Sequence, residues 1–158
     1  MFGLFKSKNQ SIVSPADGDV IKLEEVEDEV FSTKMAGDGV AIIPRSNTFV
    51  APVSGVVSKI FSTNHAFSIR THNGLEVLVH IGLDTVELNG EGFKRLVEEG
   101  EKVSMGKPII YAELELIKTF GKSVVTPIVI NAEVPFSIVT KNLHTVREGE
   151  TLMEITFQ

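Results

Sequence analysis

Four histidines, His65, His72, His80 and His144, are the side chains in this sequence best suited to chemistry near neutral pH. A neutral imidazole is a nucleophile and a metal ligand, and its charge changes close to pH 7. His72 lies in Thr71-His72-Asn73-Gly74, where Asn-Gly is the strongest short-range hairpin signal. His144 follows Asn142-Leu143 in a connection. Both read as surface residues. His65 and His80 differ, because they flank the two arms of the predicted hairpin, residues 66–70 and 75–81. Antiparallel pairing brings them close to opposite each other. The strand period puts Leu75, Val77, Val79 and Ile81 on a core face and Glu76, Leu78 and His80 on the other. On the partner arm Phe61, Thr63, His65 and Phe67 share parity if the strand is unbroken.

Two imidazoles, a threonine hydroxyl and apolar neighbours in one patch suit phosphoryl transfer. One ring can attack phosphorus, and the other can donate a hydrogen bond to the incoming oxygens. Thr63 can fix which nitrogen of a histidine carries the proton. An apolar rim strengthens these contacts and limits attack by water. The spacing alone leaves two other readings open: ordinary polarity on a hairpin surface, and a zinc site that adds Asp84. The zinc reading, including a zinc hydrolase, is short of ligands. No Gly-rich phosphate loop or dinucleotide fingerprint is present, and Gly37-Asp38-Gly39 lacks the spacing.

The surrounding elements read as strands. Runs rich in Val, Ile, Phe and Thr are punctuated by Gly and Pro, which predicts an all-β, compact antiparallel sandwich or barrel-like domain. Ile12-Val13-Ser14-Pro15-Ala16-Asp17-Gly18 echoes Phe49-Val50-Ala51-Pro52-Val53-Ser54-Gly55, which suggests two related hairpins. Segments 98–103 and 146–152 are also alike, and 123–131 and 133–140 are further apolar runs. The best helix candidate is 91–99, with Phe93, Leu96 and Val97 at helical offsets and Gly100 as C-cap. A turn capped by the Asp84 side chain follows His80, and 114–120 is ambiguous between helix and strand.

At 158 residues, 42% hydrophobic and 23% charged, the chain suits one globular domain. Residues 1–10 read as a flexible N-terminal segment and 11–158 as the domain. With no cysteine, disulfide frameworks, thiolate zinc sites and cysteine nucleophiles are excluded. A net charge of -6 without a basic stripe argues against nucleic acid. No run is long and apolar enough to span a membrane. Phe2, Leu4 and Phe5 precede Lys6 and Lys8, the reverse of a signal peptide, so the expected location is cytoplasmic.

Several stretches together resemble the glucose-type IIA component of the bacterial phosphoenolpyruvate-dependent sugar phosphotransferase system. They are Gly37-Asp38-Gly39-Val40-Ala41-Ile42, Val50-Ala51-Pro52-Val53-Ser54-Gly55, Thr63-Asn64-His65-Ala66-Phe67, Val79-His80-Ile81-Gly82-Leu83-Asp84-Thr85-Val86 and Gly90-Glu91-Gly92-Phe93. The likeness runs from about Ser11 to the end in family order. It implies an antiparallel β-sandwich with a few short helices, acting as a phosphotransferase component through a phosphohistidine. His80 would be phosphorylated by HPr and would pass the group to a cysteine on the IIB domain of a sugar permease. His65 would assist transfer, and Thr63 would hydrogen-bond it. Asp28 and Asp84 would rim the site to meet basic partner residues. Phe31, Phe61 and Leu78 would form its apolar patch, Leu78 standing where some relatives carry phenylalanine.

The resemblance also implies a IIA unit alone, since the chain has no cysteine and no membrane span. No cofactor is required by this reading. The rival reading is a phosphorylation-dependent regulatory module for transporters or metabolic enzymes, with zinc held at a partner interface by His65, His80 and a partner carboxylate. The tail from Met1 to Lys8 could add weak peripheral contact with the inner face of the membrane. Glucose is the default sugar, with N-acetylglucosamine, maltose and trehalose open, and a monomer is expected.

Overall fold

The computed structural model describes residues 9–158. The strands are β1 (Asn9–Val13), β2 (Gly18–Lys22), β3 (Asp38–Pro44), β4 (Thr48–Val50), β5 (Gly55–Ile60), β6 (Ala66–Arg70), β7 (Leu75–His80), β8 (Phe93–Arg95), β9 (Lys102–Val103), β10 (Pro108–Ala112), β11 (Thr126–Ala132), β12 (Phe136–Thr140), β13 (Thr145–Val146) and β14 (Thr151–Phe157). Two short helices, α1 (Glu29–Ser32) and α2 (Leu114–Thr119), interrupt them. All paired strands are antiparallel. The large sheet runs β13-β2-β3-β11-β7-β6-β5-β9, and two three-stranded sheets run β1-β14-β12 and β4-β10-β8. The expected antiparallel β-sandwich with few helices is the fold observed. The ambiguous segment 114–120 is helical over Leu114–Thr119. β1 reaches two residues into the segment read as a tail. The rest of that segment, and with it the membrane contact assigned to Met1 through Lys8, lies outside the described residues.

The repeated Pro-x-x-Gly segments are not hairpins. Each carries the chain from a small sheet into the large one, β1 to β2 and β4 to β5. They hydrogen-bond to one another instead: Val13 N–H donates to the Pro52 carbonyl at 3.0 Å, and Val50 N–H to the Pro15 carbonyl at 2.9 Å. Their glycines open equivalent strands. Gly18 pairs with Val146, and Gly55 pairs with Val103. A Cβ on Gly18 would lie 2.5 Å from the Ile43 carbonyl oxygen, and one on Gly55 would lie 2.2 Å from that of Arg70. Backbone crosses backbone here too closely for any side chain, so both copies need glycine.

The main core fills the space between the sheets and includes Phe49, Phe67, Ile69, Val77, Val79, Ile110 and Ile155. A second, smaller core lies apart from it. It holds Leu23, Val26, Phe31, Ala41, Leu83 and Val129, with Leu78 packed against it. Phe31 is 4% exposed, and its burial is worth about 2–3 kcal/mol. That anchorage fixes α1 at the end of β7.

The predicted helix over 91–99 does not form. Gly90 and Gly92 take positive φ, and Phe93–Arg95 become β8. That strand pairs with β10 through Phe93↔Ala112 and Arg95↔Ile110. Phe93 and Val97 are buried, so the apolar spacing was real, but pairing with β10 serves it better than an isolated helix of this length. Gly100 does adopt positive φ, in a turn closed by Glu101 N–H donating to the Glu98 carbonyl.

Candidate functional site

His80 ends β7, whose residues alternate buried and half-buried from Leu75 onward. Val77 and Val79 enter the core, and His80 faces out beside Leu78, as the strand period predicts. Ala66 stands directly opposite His80, a small residue that leaves room for the ring. The chain then turns sharply. Gly82 has φ 81°, and its carbonyl accepts a hydrogen bond from His80 Nδ1 at 2.7 Å. A carbonyl can only accept, so Nδ1 carries the proton and Nε2 keeps its lone pair.

His65 reaches the same place by a different route. It lies opposite Ile81, whose N–H donates to the His65 carbonyl at 2.8 Å. Strand parity would aim its ring into the core, and of the expected shared face of Phe61, Thr63, His65 and Phe67 only the first three come together, lining one cavity. Phe67 is a fully buried core residue. The chain leaves the strand before Ala66: Asn64 is left-handed at φ 59°, and its N–H donates to the Phe61 carbonyl at 2.7 Å. The turn swings His65 toward His80. The two rings meet edge to face, with centroids 4.9 Å apart and planes 81° apart. His65 is only 2% exposed, so one ring reaches the surface and the other lies beneath it. Thr63 Oγ1 is 2.5 Å from His65 Nδ1.

Aromatic side chains frame the pair. Phe31 lies 5.0 Å from His80, Phe61 5.3 Å from His65, and Phe93 6.5 Å from His65, centroid to centroid. Leu78 belongs to the small core under α1 and supports the patch from below. Asp28 caps α1, its Oδ1 accepting from Val30 N–H at 2.9 Å. Asp84 precedes a 3-10 turn, Thr85–Leu88, but does not cap it. Asp84 is itself left-handed, and Thr85 Oγ1 donates to the Ile81 carbonyl. The Asp84 carboxylate is therefore left facing the solvent. His72 and His144 are both exposed and apart from this pair, as expected.

Burial holds the His80 pKa below the usual imidazole value, while the Gly82 carbonyl and the charges of Asp28 and Asp84 push back. His65 has no such compensation. Burial first, and the neighbouring His80 second, lower it to about 4, so it stays neutral at physiological pH. Among the described residues no group of three or more His, Asp or Glu side chains is arranged to hold a metal.

Some site residues were not singled out in the sequence. Val86, 51% exposed, lines a cavity of about 420 Å³ beside His65 together with Phe61, Thr63 and Arg95. The Gly82 carbonyl and Phe93 also belong here. Val86, Gly82 and Phe93 fall inside motifs that carry the resemblance, although Phe93 was also placed in the predicted 91–99 helix, and that helical reading hid Arg95.

The eight-stranded antiparallel sheet with paired, ring-framed histidines at its centre defines an all-β histidine-site protein. Residues 10–136 match the model of the phosphoenolpyruvate-dependent sugar phosphotransferase system, EIIA 1 family, and the chain belongs to that family. It is 44% identical over 156 residues to the "PTS system glucose-specific EIIA component" of Buchnera aphidicola subsp. Baizongia pistaciae, covering 94% of this chain and 93% of that protein. It is 52% identical over 120 residues to the "PTS system N-acetylglucosamine-specific EIICBA component" of Klebsiella pneumoniae, covering 76% of this chain but 18% of that protein. The solved structure of glucose permease IIA from Mycoplasma capricolum superposes with a TM-score of 0.90 at 40% identity, covering 95% of this chain and 97% of that one. Among the described residues no helix is long and apolar enough to cross a membrane.

Proposed function

We propose that this chain is a cytoplasmic phosphoryl carrier that takes a phosphoryl group from phospho-HPr onto His80 Nε2 and yields it to a cysteine of a IIB domain. The observation that carries the reading is the 2.7 Å bond from His80 Nδ1 to the Gly82 carbonyl, which leaves Nε2 as the free nucleophile. In the first step the Nε2–P bond forms as the donor's N–P bond breaks, and that bonding pair stays on the donor ring. The His80 ring then carries Nδ1–H and Nε2–P together and takes on positive charge, which Asp28 and Asp84 favour, while they repel the negative phosphoryl oxygens. In the second step the Nε2–P bond breaks toward the IIB thiolate.

His65 suits the helper role. With Thr63 Oγ1 donating to Nδ1, its proton sits on Nε2 and can meet a phosphoryl oxygen without adding a charge. Asp28, Asp84, Phe31, Phe61 and Leu78 form the partner-facing rim and its support. Relatives named for glucose and for N-acetylglucosamine match this chain comparably, so the sugar is chosen outside it, with glucose as the default. The match to a short part of an EIICBA protein supports a IIB partner.

Incubation with phosphoenolpyruvate, enzyme I and HPr will label the protein on histidine, and His80→Ala will abolish the label. Undiminished labelling of that variant would reject the assignment. The two adjacent rings favour one secondary reading, zinc shared with a carboxylate of a regulatory partner. A pull-down comparing phosphorylated and unphosphorylated protein, with and without zinc, tests it, and identical captures in all four conditions would reject it.

A further inference from the structure

We propose that Arg95 is a positioning residue, clamping the turn that carries Thr63 and His65 so that Thr63 selects the working tautomer of His65. The inference rests on the carrier reading above and adds to it a control point outside the histidine pair. Phe93 is buried, Lys94 exposed and Arg95 half-buried, so alternate residues of β8 face the site. Phe93 meets the His65 ring. Arg95 Nε donates to Asn64 Oδ1 at 2.7 Å, and a terminal guanidinium nitrogen reaches the Phe61 carbonyl at 3.5 Å. Its other neighbour is Glu98, at 3.9 Å, which is largely exposed.

The geometry makes Asn64 the fulcrum. It sits between Thr63 and His65 in a left-handed conformation that most side chains avoid and asparagine tolerates. Its backbone N–H already closes the turn on Phe61, and its side chain is held by a donor from a strand anchored in another sheet. Phe61 N–H donates in turn to the Ala66 carbonyl at 3.0 Å. Release of Asn64 frees the turn to rotate about that residue, and the 2.5 Å Thr63–His65 contact is the first to lengthen. His65 Nδ1 then has no fixed partner, and the proton distributes over both nitrogens. His80 is unaffected, because its own proton is held by Gly82 on the far side of the pair.

Two full-chain variants test this. Arg95→Gln removes the fork. Asn64→Gly removes the acceptor while keeping a residue at ease with positive φ. Nitrogen-15 imidazole spectra of the unphosphorylated proteins at neutral pH are expected to show His65 as a single Nε2–H tautomer in the wild type. In both variants its two nitrogen shifts should move toward each other, with His80 unchanged. Transfer to IIB should fall about tenfold while acceptance from phospho-HPr stays within about twofold. An unchanged His65 spectrum in either folded variant overturns the proposal, as does equal loss of both half-reactions. If Arg95→Gln unfolds, Asn64→Gly decides by the same spectrum. Failure of the wild type to accept phosphate on His80 would instead reject the carrier reading, and the tautomer spectra would still judge the clamp.

Discussion

His80 and His65 touch, yet they are held by opposite means. His80 completes a regular strand, takes its orientation from strand alternation, and gives its proton to a backbone carbonyl. His65 sits on an irregular turn and depends on a side-chain hydroxyl two residues away. His80 is partly open to solvent and lies near two carboxylates, Asp28 and Asp84, which favour its protonated form. His65 is buried, and its charged form is opposed both by desolvation and by the neighbouring ring. Two chemically identical side chains 4.9 Å apart are thereby divided into an accessible ring with a free Nε2 and a buried ring that stays neutral.

The sharpest way to break this division is His65→Ala. Acceptance by His80 should persist while onward transfer falls about 10²–10³-fold, the usual cost of losing one donor to a transferring group. Equal rates in both half-reactions would remove the helper role. Next comes Gly82→Ala. The left-handed φ of 81° and an added Cβ only 2.5 Å from Thr85 Cγ2 and 2.7 Å from the Ser123 carbonyl oxygen leave it no room. A loss of about 3 kcal/mol or more is expected in urea unfolding, with m unchanged.

Acid should separate the two rings further. Between pH 6.5 and about 4 the unfolded chain protonates His65 and the folded chain does not. Folding stability therefore falls as pH drops through that window, by roughly 2–3 kcal/mol. Unfolding curves of His65→Gln should show a shallower slope over the same range, and parallel curves would reject the assignment. The smallest effect belongs to Thr63→Val. It leaves a buried nitrogen unpaired for about 1–2 kcal/mol and should reveal the second His65 tautomer by nitrogen-15 spectroscopy.

The same contrast explains what could be read in advance. The β7 alternation is local, and it correctly sent His80 outward. His65 was matched to its partner by counting along a strand assumed to be unbroken, and the left-handed Asn64 breaks it. Asparagine tolerates that conformation without announcing it. The echo around Pro15 and Pro52 was visible, but its meaning was a crossing between sheets, which depends on strands distant in sequence. Phe93, Leu96 and Val97 fit a helical period until β10 offered backbone partners. Asp84 had the chemistry of a cap, yet Thr85 turned back to Ile81 and left the carboxylate for the site. Local pattern thus placed His80 outward, and long-range pairing decided how His65 is aimed.

Protein labelled with nitrogen-15 histidine, phosphorylated through enzyme I and HPr, can be read by phosphorus–nitrogen coupling. We predict a single phosphoryl group on Nε2 of His80, with Nδ1 still protonated against the Gly82 carbonyl. Phosphorus bonded to Nδ1 of His80, or to either nitrogen of His65, would contradict the account.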